Sequence, residues 1–325
     1  MIASIASRLT PVSCEHRQRG RLSKQPHDAK GHPVTHSSEK PEAKTLLTDI
    51  AFGESPRWRG DRFWFADWGA KEIVAVDANG SREVMVRVSF PSFPMSFDWL
   101  LDGRLLVVSA RDGLLLRQEP DGSLATHADL NGLAPKGLPW NELVVDGRGN
   151  AYINNTGFEF PGGEFAPGSI ALLTSDGSVR KVADGIAFPN GMVVTSDNAT
   201  LIVAESYGQR LTAFDIAPDG GLSNRRIWAG TGQDHPDGIC LDAQGAVWYA
   251  DVASKRCVRV RKGGEVLQVI DLDRGCFACV LGGEDRKTLY MLATEWRGVD
   301  QSIAGGARTG QVLTIEAAAP GAGWP

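Results

Sequence analysis

The stretch Asp242-Ala-Gln-Gly-Ala-Val-Trp-Tyr-Ala250 decides the fold, because five other stretches repeat its pattern. They are Trp58–Asp67, Leu101–Ser109, Asp146–Asn154, Ser196–Ala204 and Glu284–Leu292, each coupling a polar turn to an apolar, β-branched or aromatic run. Anchored on Trp64, Leu105, Tyr152, Ile202, Trp248 and Tyr290, the units advance by 41, 47, 50, 46 and 42 residues. A period in the forties, with several short strands per unit, marks a four-stranded propeller blade. Thirty-eight glycines, many in Asp-Gly and Asn-Gly pairs, supply the tight turns between strands. No segment keeps a 3.6-residue apolar period over ten or more positions. The spacing predicts an all-β, six-bladed propeller over residues 46–325. A ring must close to leave no unpaired edges. Lys44–Asp49 and Thr309–Ala317, the first and last strand candidates, are expected to pair in one terminal blade.

Composition narrows the function. The 325 residues carry 42% hydrophobic and 22% charged side chains, ordinary values for a globular protein. Residues 1–45 hold eight Lys/Arg against four Asp/Glu, which puts +4 there and leaves −9 on the rest of a chain whose net charge is −5. An acidic body argues against nucleic acid as partner. No run approaches the ~20 apolar residues of a membrane helix, so no membrane partner is expected and the chain reads as cytoplasmic. Residues 1–45 are basic, rich in Ser, Pro and His, and poor in aromatics; they read as a disordered extension or a mis-assigned start, with a transit peptide as the alternative. Five cysteines form no regular framework, and Cys276-Phe-Ala-Cys279 reads as two reduced, partly buried thiols.

Four loops carry the chemistry: Phe52-Gly53-Glu54-Ser55-Pro56, Pro139-Trp140-Asn141-Glu142, Phe188-Pro189-Asn190-Gly191 and His235-Pro236-Asp237-Gly238. Each stands at the same phase of the repeat, so all four belong on one rim and point at one axis. The same count puts Ser96 and Cys279 at the axis in the two remaining units. Two carboxylates (Glu54, Asp237) and two amides (Asn141, Asn190) make a hard, oxygen-only shell of the kind that holds Ca2+ or Mg2+. Ca2+ is the expected ion, with Zn2+, Mn2+ or Mg2+ as alternatives. Taken singly, Asn190-Gly191 and Asp237-Gly238 are ordinary turn pairs; their common phase is what argues for a site.

These motifs resemble the SMP-30/gluconolactonase/luciferin-regenerating-enzyme family, whose members include the regucalcins. The resemblance runs from about Leu46 to Ala317. It is carried by Gly53-Glu54-Ser55-Pro56-Arg57-Trp58, Asn141–Asp146, Phe188-Pro189-Asn190-Gly191-Met192 and Pro236-Asp237-Gly238. It implies a six-bladed propeller in which Glu54, Asn190 and Asp237 bind a divalent cation and Asn141 lies beside the ion or contacts substrate. Two departures stand out. Many members read Asn-Asp where this chain has Asn141-Glu142, and the sugar-lactone members carry Arg where it has Pro139.

The chemistry expected of such a site is hydrolysis of a lactone. A cation-bound carbonyl is polarised toward water attack, and Asp237 is the candidate general base. Asn141, Glu142, Phe158 and Glu159 are the expected substrate contacts, the last two on a long insertion, Asn154–Glu164, that reads as a lid. Other esters or phosphotriesters, or calcium binding without catalysis, are the alternatives. A serine triad is disfavoured: the chain has no Gly-x-Ser-x-Gly elbow, and only His127 and His235 fall in residues 46–325. Of these His127 reads as surface, while His235 could face the pocket mouth.

Overall fold

The computed structural model describes residues 42–325 other than 136 and 305, so the expected basic extension lies almost wholly outside the described residues. The rest is a ring of antiparallel sheets. Blade one is β2 (Gly53–Arg59), β3 (Arg62–Asp67), β4 (Glu72–Val76) and β5 (Arg82–Arg87). Blade two is β6 (Phe97–Trp99), β7 (Leu105–Ser109), β8 (Leu114–Gln118) and β9 (Leu124–Asp129). Blade three is β10 (Trp140–Val145), β11 (Ala151–Asn155), β12 (Gly168–Leu173) and β13 (Val179–Ile186). Blade four is β14 (Pro189–Val194), β15 (Thr200–Glu205), β16 (Arg210–Ile216) and β17 (Leu222–Gly230). Blade five is β18 (Pro236–Asp242), β19 (Val247–Asp251), β20 (Arg256–Val260) and β21 (Val266–Asp271), with the short β25 (Gly321–Ala322) added beside β18.

Blade six closes the ring as the sequence predicts. It joins β22 (Gly275–Gly282), β23 (Thr288–Thr294) and β24 (Gly310–Glu316) to β1 (Lys44–Ile50), so one sheet holds strands from both ends of the described chain. In that sheet Lys44 pairs with Thr314 and Ile50 with Gly310.

Strand periodicity explains why the sheets pack as a ring. In β15, Leu201 and Val203 face blade three, while Ile202 and Ala204 face blade five. Side chains alternate across a strand, so an uninterrupted apolar run buries both faces. The described core divides into six clusters, one between each pair of neighbouring blades. The sixth of these seals blade one to blade six through Ile50, Phe63, Phe65, Val280 and Tyr290. Hairpins are fixed by Asx turns: Asp242 Oδ1 accepts from Gln244 N (2.8 Å) and Ala246 N (3.0 Å), with Gly245 at φ 74°.

The first strands of the blades meet around the axis, β6 against β10, β10 against β14, β14 against β18, β18 against β22 and β22 against β2. No helix among the described residues is long and apolar enough to cross a membrane. Cys240, Cys257, Cys276 and Cys279 are free and buried, and Cys240 Sγ lies 3.8 Å from Cys279 Sγ.

Candidate active site at the propeller axis

The four predicted axial residues share a backbone device. Pairing between the first and second strands slips between Glu54 and Arg57, Trp140 and Leu143, Pro189 and Met192, and Pro236 and Ile239. A bulge sets two residues opposite one and re-aims a side chain that regular pleating would send elsewhere. Glu54, Asn141, Asn190 and Asp237 all stand at these slips, one per blade. Ser55, directly after Glu54, is buried in the left-handed region at φ 49°, a strained conformation for a residue with a side chain.

Blade six corrects one expectation. Its slip falls between Cys276 and Ala278, so Phe277 takes the phase expected for Cys279. The count back from Tyr290 misses by two because Val280 and Tyr290 pair across ten residues, where Cys240 and Trp248 pair across eight: the β22–β23 hairpin is longer. In blade two the short β6 begins only at Phe97, and the buried Met95 precedes it. Met95 and Phe277 share a cluster with Phe52 and Trp68. The axis is therefore two-sided, with oxygen donors from blades one, three, four and five and an apolar wall from blades two and six.

The Asn-Gly and Asp-Gly pairs are not turns. Gly191 and Gly238 lie inside β14 and β18. A Cβ on Gly191 would stand 2.6 Å from Ile239 N, and one on Gly238 would stand 2.5 Å from the Ala278 Cβ. Glycine is required there because neighbouring first strands converge on the axis, a packing demand rather than a conformational one.

Charge at this point is unbalanced. Glu54 is 6% exposed, and burial, then Asp237 and Glu142, push its pKa well above the usual carboxylate range. Burial, then Glu142 and Asp251, likewise raise Asp237, while a hydrogen bond with Asn190 opposes the rise. Glu142 is more fully engaged: its carboxylate accepts from Ser55 Oγ, from Ser96 Oγ at 3.2 Å and from Arg57 Nη2 at 3.5 Å. It ties blades one, two and three together. Asn141 Nδ2 donates to Pro189 O (3.4 Å), and Asn190 Nδ2 donates to Ser206 Oγ (3.5 Å). Both amide nitrogens are thus committed to the protein, which leaves the Oδ1 atoms as the free donors.

That donor set fits a hard cation: a buried carboxylate (Glu54) and a half-buried one (Asp237) that repel each other, and two amide oxygens. Among the described residues no three or more His, Cys, Asp or Glu gather as a metal site, and the set proposed from the sequence relies on amides for half its donors.

Other predicted residues fall nearby. Phe158 is buried against Phe188 (5.4 Å between centroids), Tyr207 (5.8 Å) and Phe165 (5.6 Å), so it anchors the insertion onto blade four. Glu159 is exposed and pairs with Arg111 at 2.7 Å. His235 is half-buried in the loop before β18, and His127 lies on β9. Sequence reasoning missed the parts that brace the site. Ser206 Oγ donates to Pro236 O at 2.7 Å, and Asn154 Nδ2 donates to Asn190 O at 2.7 Å. Polar residues ending the second strands hold the loops that carry the donors. Asp67 accepts from Ala51 N and Phe52 N, Asn155 donates to Pro139 O, and Glu205 accepts from Ala187 N. Their recurrence at one position of the repeat was the available signal.

A closed six-bladed ring with polar donors at one mouth defines the class. A family profile described as "SMP-30/Gluconolactonase/LRE-like region" matches residues 52–295, and the chain belongs to that family. A Bacillus subtilis protein provisionally named sugar lactone lactonase YvrE is 24% identical over 279 residues, 82% of this chain and 93% of its own. Regucalcin of Sus scrofa is 26% identical over 249 residues, 74% of this chain and 82% of its own. Among solved structures, a calcium-binding protein, regucalcin, from Agrobacterium tumefaciens superposes with a TM-score of 0.70 at 20% identity, over 87% of this chain and 95% of that one.

Proposed function

We propose that the axial site is that of a divalent-cation-dependent lactone hydrolase. One observation supports the reading: four blades present Glu54, Asn141, Asn190 and Asp237 at the same backbone slip, and the buried Glu54 and half-buried Asp237 repel each other with no ion-pair partner among the described residues. A cation is the missing countercharge. The names of the relatives above, a lactonase and a calcium-binding regucalcin, support both halves of the proposal. Calcium suits the oxygen-only set best.

Glu54, Asn141 and Asn190 would hold the ion together with Asp237. When bound, it supplies Lewis-acid polarisation of the lactone carbonyl and acidifies water. Asp237 takes the proton of the water that attacks the carbonyl carbon. The ring C–O bond then breaks, and the proton passes to the leaving alkoxide. Asn141 orients the carbonyl. Met95 and Phe277 keep bulk water from one side, which strengthens every charge interaction on the other. Glu142 fixes the spacing of three blades and adds negative field. Phe158 acts by seating the insertion, and Glu159 lies on the exposed rim as the candidate substrate contact.

A pH-indicator assay against aldonolactones, aromatic lactones and phosphotriesters, with and without EDTA, tests this. Chelator-sensitive hydrolysis of a lactone is expected. Turnover that ignores EDTA rejects the cation, and failure of every lactone with success on a phosphotriester moves the substrate class.

A further inference from the structure

The far ends of the same first strands frame a second cavity. Glu54 and Asp237 stand near the beginnings of β2 and β18, whereas Arg59, Trp99 and Val145 stand at the ends of β2, β6 and β10. A cavity of about 320 Å3 there is walled by Trp58, Trp99 and Trp324 and receives Arg57, Arg59 and Arg286. The segment Gly321–Pro325 frames one side. It pairs Ala322 with Leu241, and Trp324 exchanges two 2.8 Å backbone hydrogen bonds with Val194. These bonds fix the Trp324 backbone while its side chain stays 41% exposed.

The acidic and basic linings differ in how far they are satisfied. Asp98 accepts from Trp99 N and Val145 N, both at 2.9 Å, and Asp146 accepts from Arg148 N (2.8 Å) and Asn150 N (2.9 Å). Among the guanidinium groups Arg57 is engaged: it donates to Pro56 O and Leu143 O and pairs with Glu142 at 3.5 Å and, through Nε, with Asp98 at 3.7 Å. The other two are less committed. Arg286 Nε is buried and unpartnered; its guanidinium lies against Gly321, where a Cβ would come within 3.0 Å of Nη2. Arg59 lies over the Trp99 ring at 4.7 Å from its centroid. The ion pairs among the described residues include Arg57 but neither Arg59 nor Arg286.

Buried donors without acceptors are costly unless something meets them. Guanidinium forks match carboxylates, and indole faces take flat apolar bodies. We propose that this cavity is a second ligand site, at the opposite mouth from the axial one, for a small aromatic carboxylate.

Calorimetric titration of the full chain with 2-naphthoate tests it, with the neutral 2-naphthylmethanol as isostere. One saturable site is expected, weakened ~10-fold or more by Arg286→Gln and by Arg59→Gln, and for the alcohol by a similar factor. Glu54→Gln should leave naphthoate binding intact, which separates this site from the axial reading. Should Arg286→Gln melt abnormally, the exposed Arg59→Gln and Trp324→Ala carry the test. Absence of naphthoate binding, equal affinity for the alcohol, wild-type affinity in the arginine variants, or loss in Glu54→Gln would each overturn the proposal.

Discussion

Replacing Glu54 with Gln gives the sharpest test of the axial site, because the side chain keeps its shape and an acceptor for Ser55 N, 3.0 Å from Oε2, but loses its charge. In the folded, cation-free protein, burial and the neighbouring carboxylates raise the pKa of Glu54 and of Asp237. The folded state therefore holds these protons more tightly than the unfolded chain does. The stability tied to them is fully present below the unfolded carboxylate pKa and is lost as pH rises through the raised folded values. At neutral pH, without cation, the variant should melt at or above the wild-type temperature, with the difference shrinking on acidification. Calcium should reverse the order. An ion at a hundredfold excess over its Kd stabilises the folded state by about 2.7 kcal/mol. For a body of roughly 280 residues the unfolding entropy is about 0.6 kcal/mol/K, so wild type should gain ~4–5 °C. The variant should gain little. Scanning calorimetry in EDTA and in excess calcium, at mildly acid and neutral pH, reads both effects. An equal calcium shift in the variant, or a cation-free variant less stable than wild type at neutral pH, refutes the reasoning.

The other predictions concern the base, the convergence of strands, the loop braces and ring closure. Asp237→Asn should cut lactone turnover by ~10²-fold or more with unchanged circular dichroism; a variant that turns over normally removes Asp237 as base. Gly238→Ala forces blades five and six apart, since the new Cβ would lie 2.5 Å from that of Ala278, and should cost ~1–3 kcal/mol in urea unfolding. An unshifted midpoint would contradict the close approach. Asp67→Ala strips the buried Ala51 and Phe52 amides of their acceptor and should cost about 1–3 kcal/mol by the same assay. Deleting Lys44–Ile50 exposes the edge of β24 and removes the 1%-exposed Ile50 from the seal between blades one and six. The melting temperature should fall sharply, and an unchanged melting curve would mean that β1 is dispensable.

The fold was legible because each blade writes the same thing. Runs such as Thr200–Glu205 are apolar on both faces, and only a sheet packed between two others asks for that. Once the period is read, closure follows from the need to pair β24. The common phase of the candidate donors was legible for the same reason, and each falls at the slip of its blade. Glu54, Asn141, Asn190 and Asp237 are unlike in chemistry but equal in phase, and phase is a property that sequence preserves.

What stayed hidden depends on contacts between blades or on register. Cys279 looked axial because counting back from Tyr290 assumes a hairpin of the usual length, and the β22–β23 hairpin is two residues longer than β18–β19. Asn154 of blade three braces Asn190 of blade four, and Ser206 of blade four braces Pro236 of blade five; no local pattern announces a partner some thirty or more residues away in the ring. Glu142 is the most instructive case. The sequence offers it as an expected substrate contact beside Asn141, one methylene longer than the Asp of many family members. In the structure that length lets it reach Ser55, Ser96 and Arg57, so the residue next to the putting-in-place of the donors becomes the strut that holds three blades at one spacing. Charge that sequence assigns to chemistry is here used for geometry, and that geometry sets the frame in which Glu54 and Asp237 repel each other.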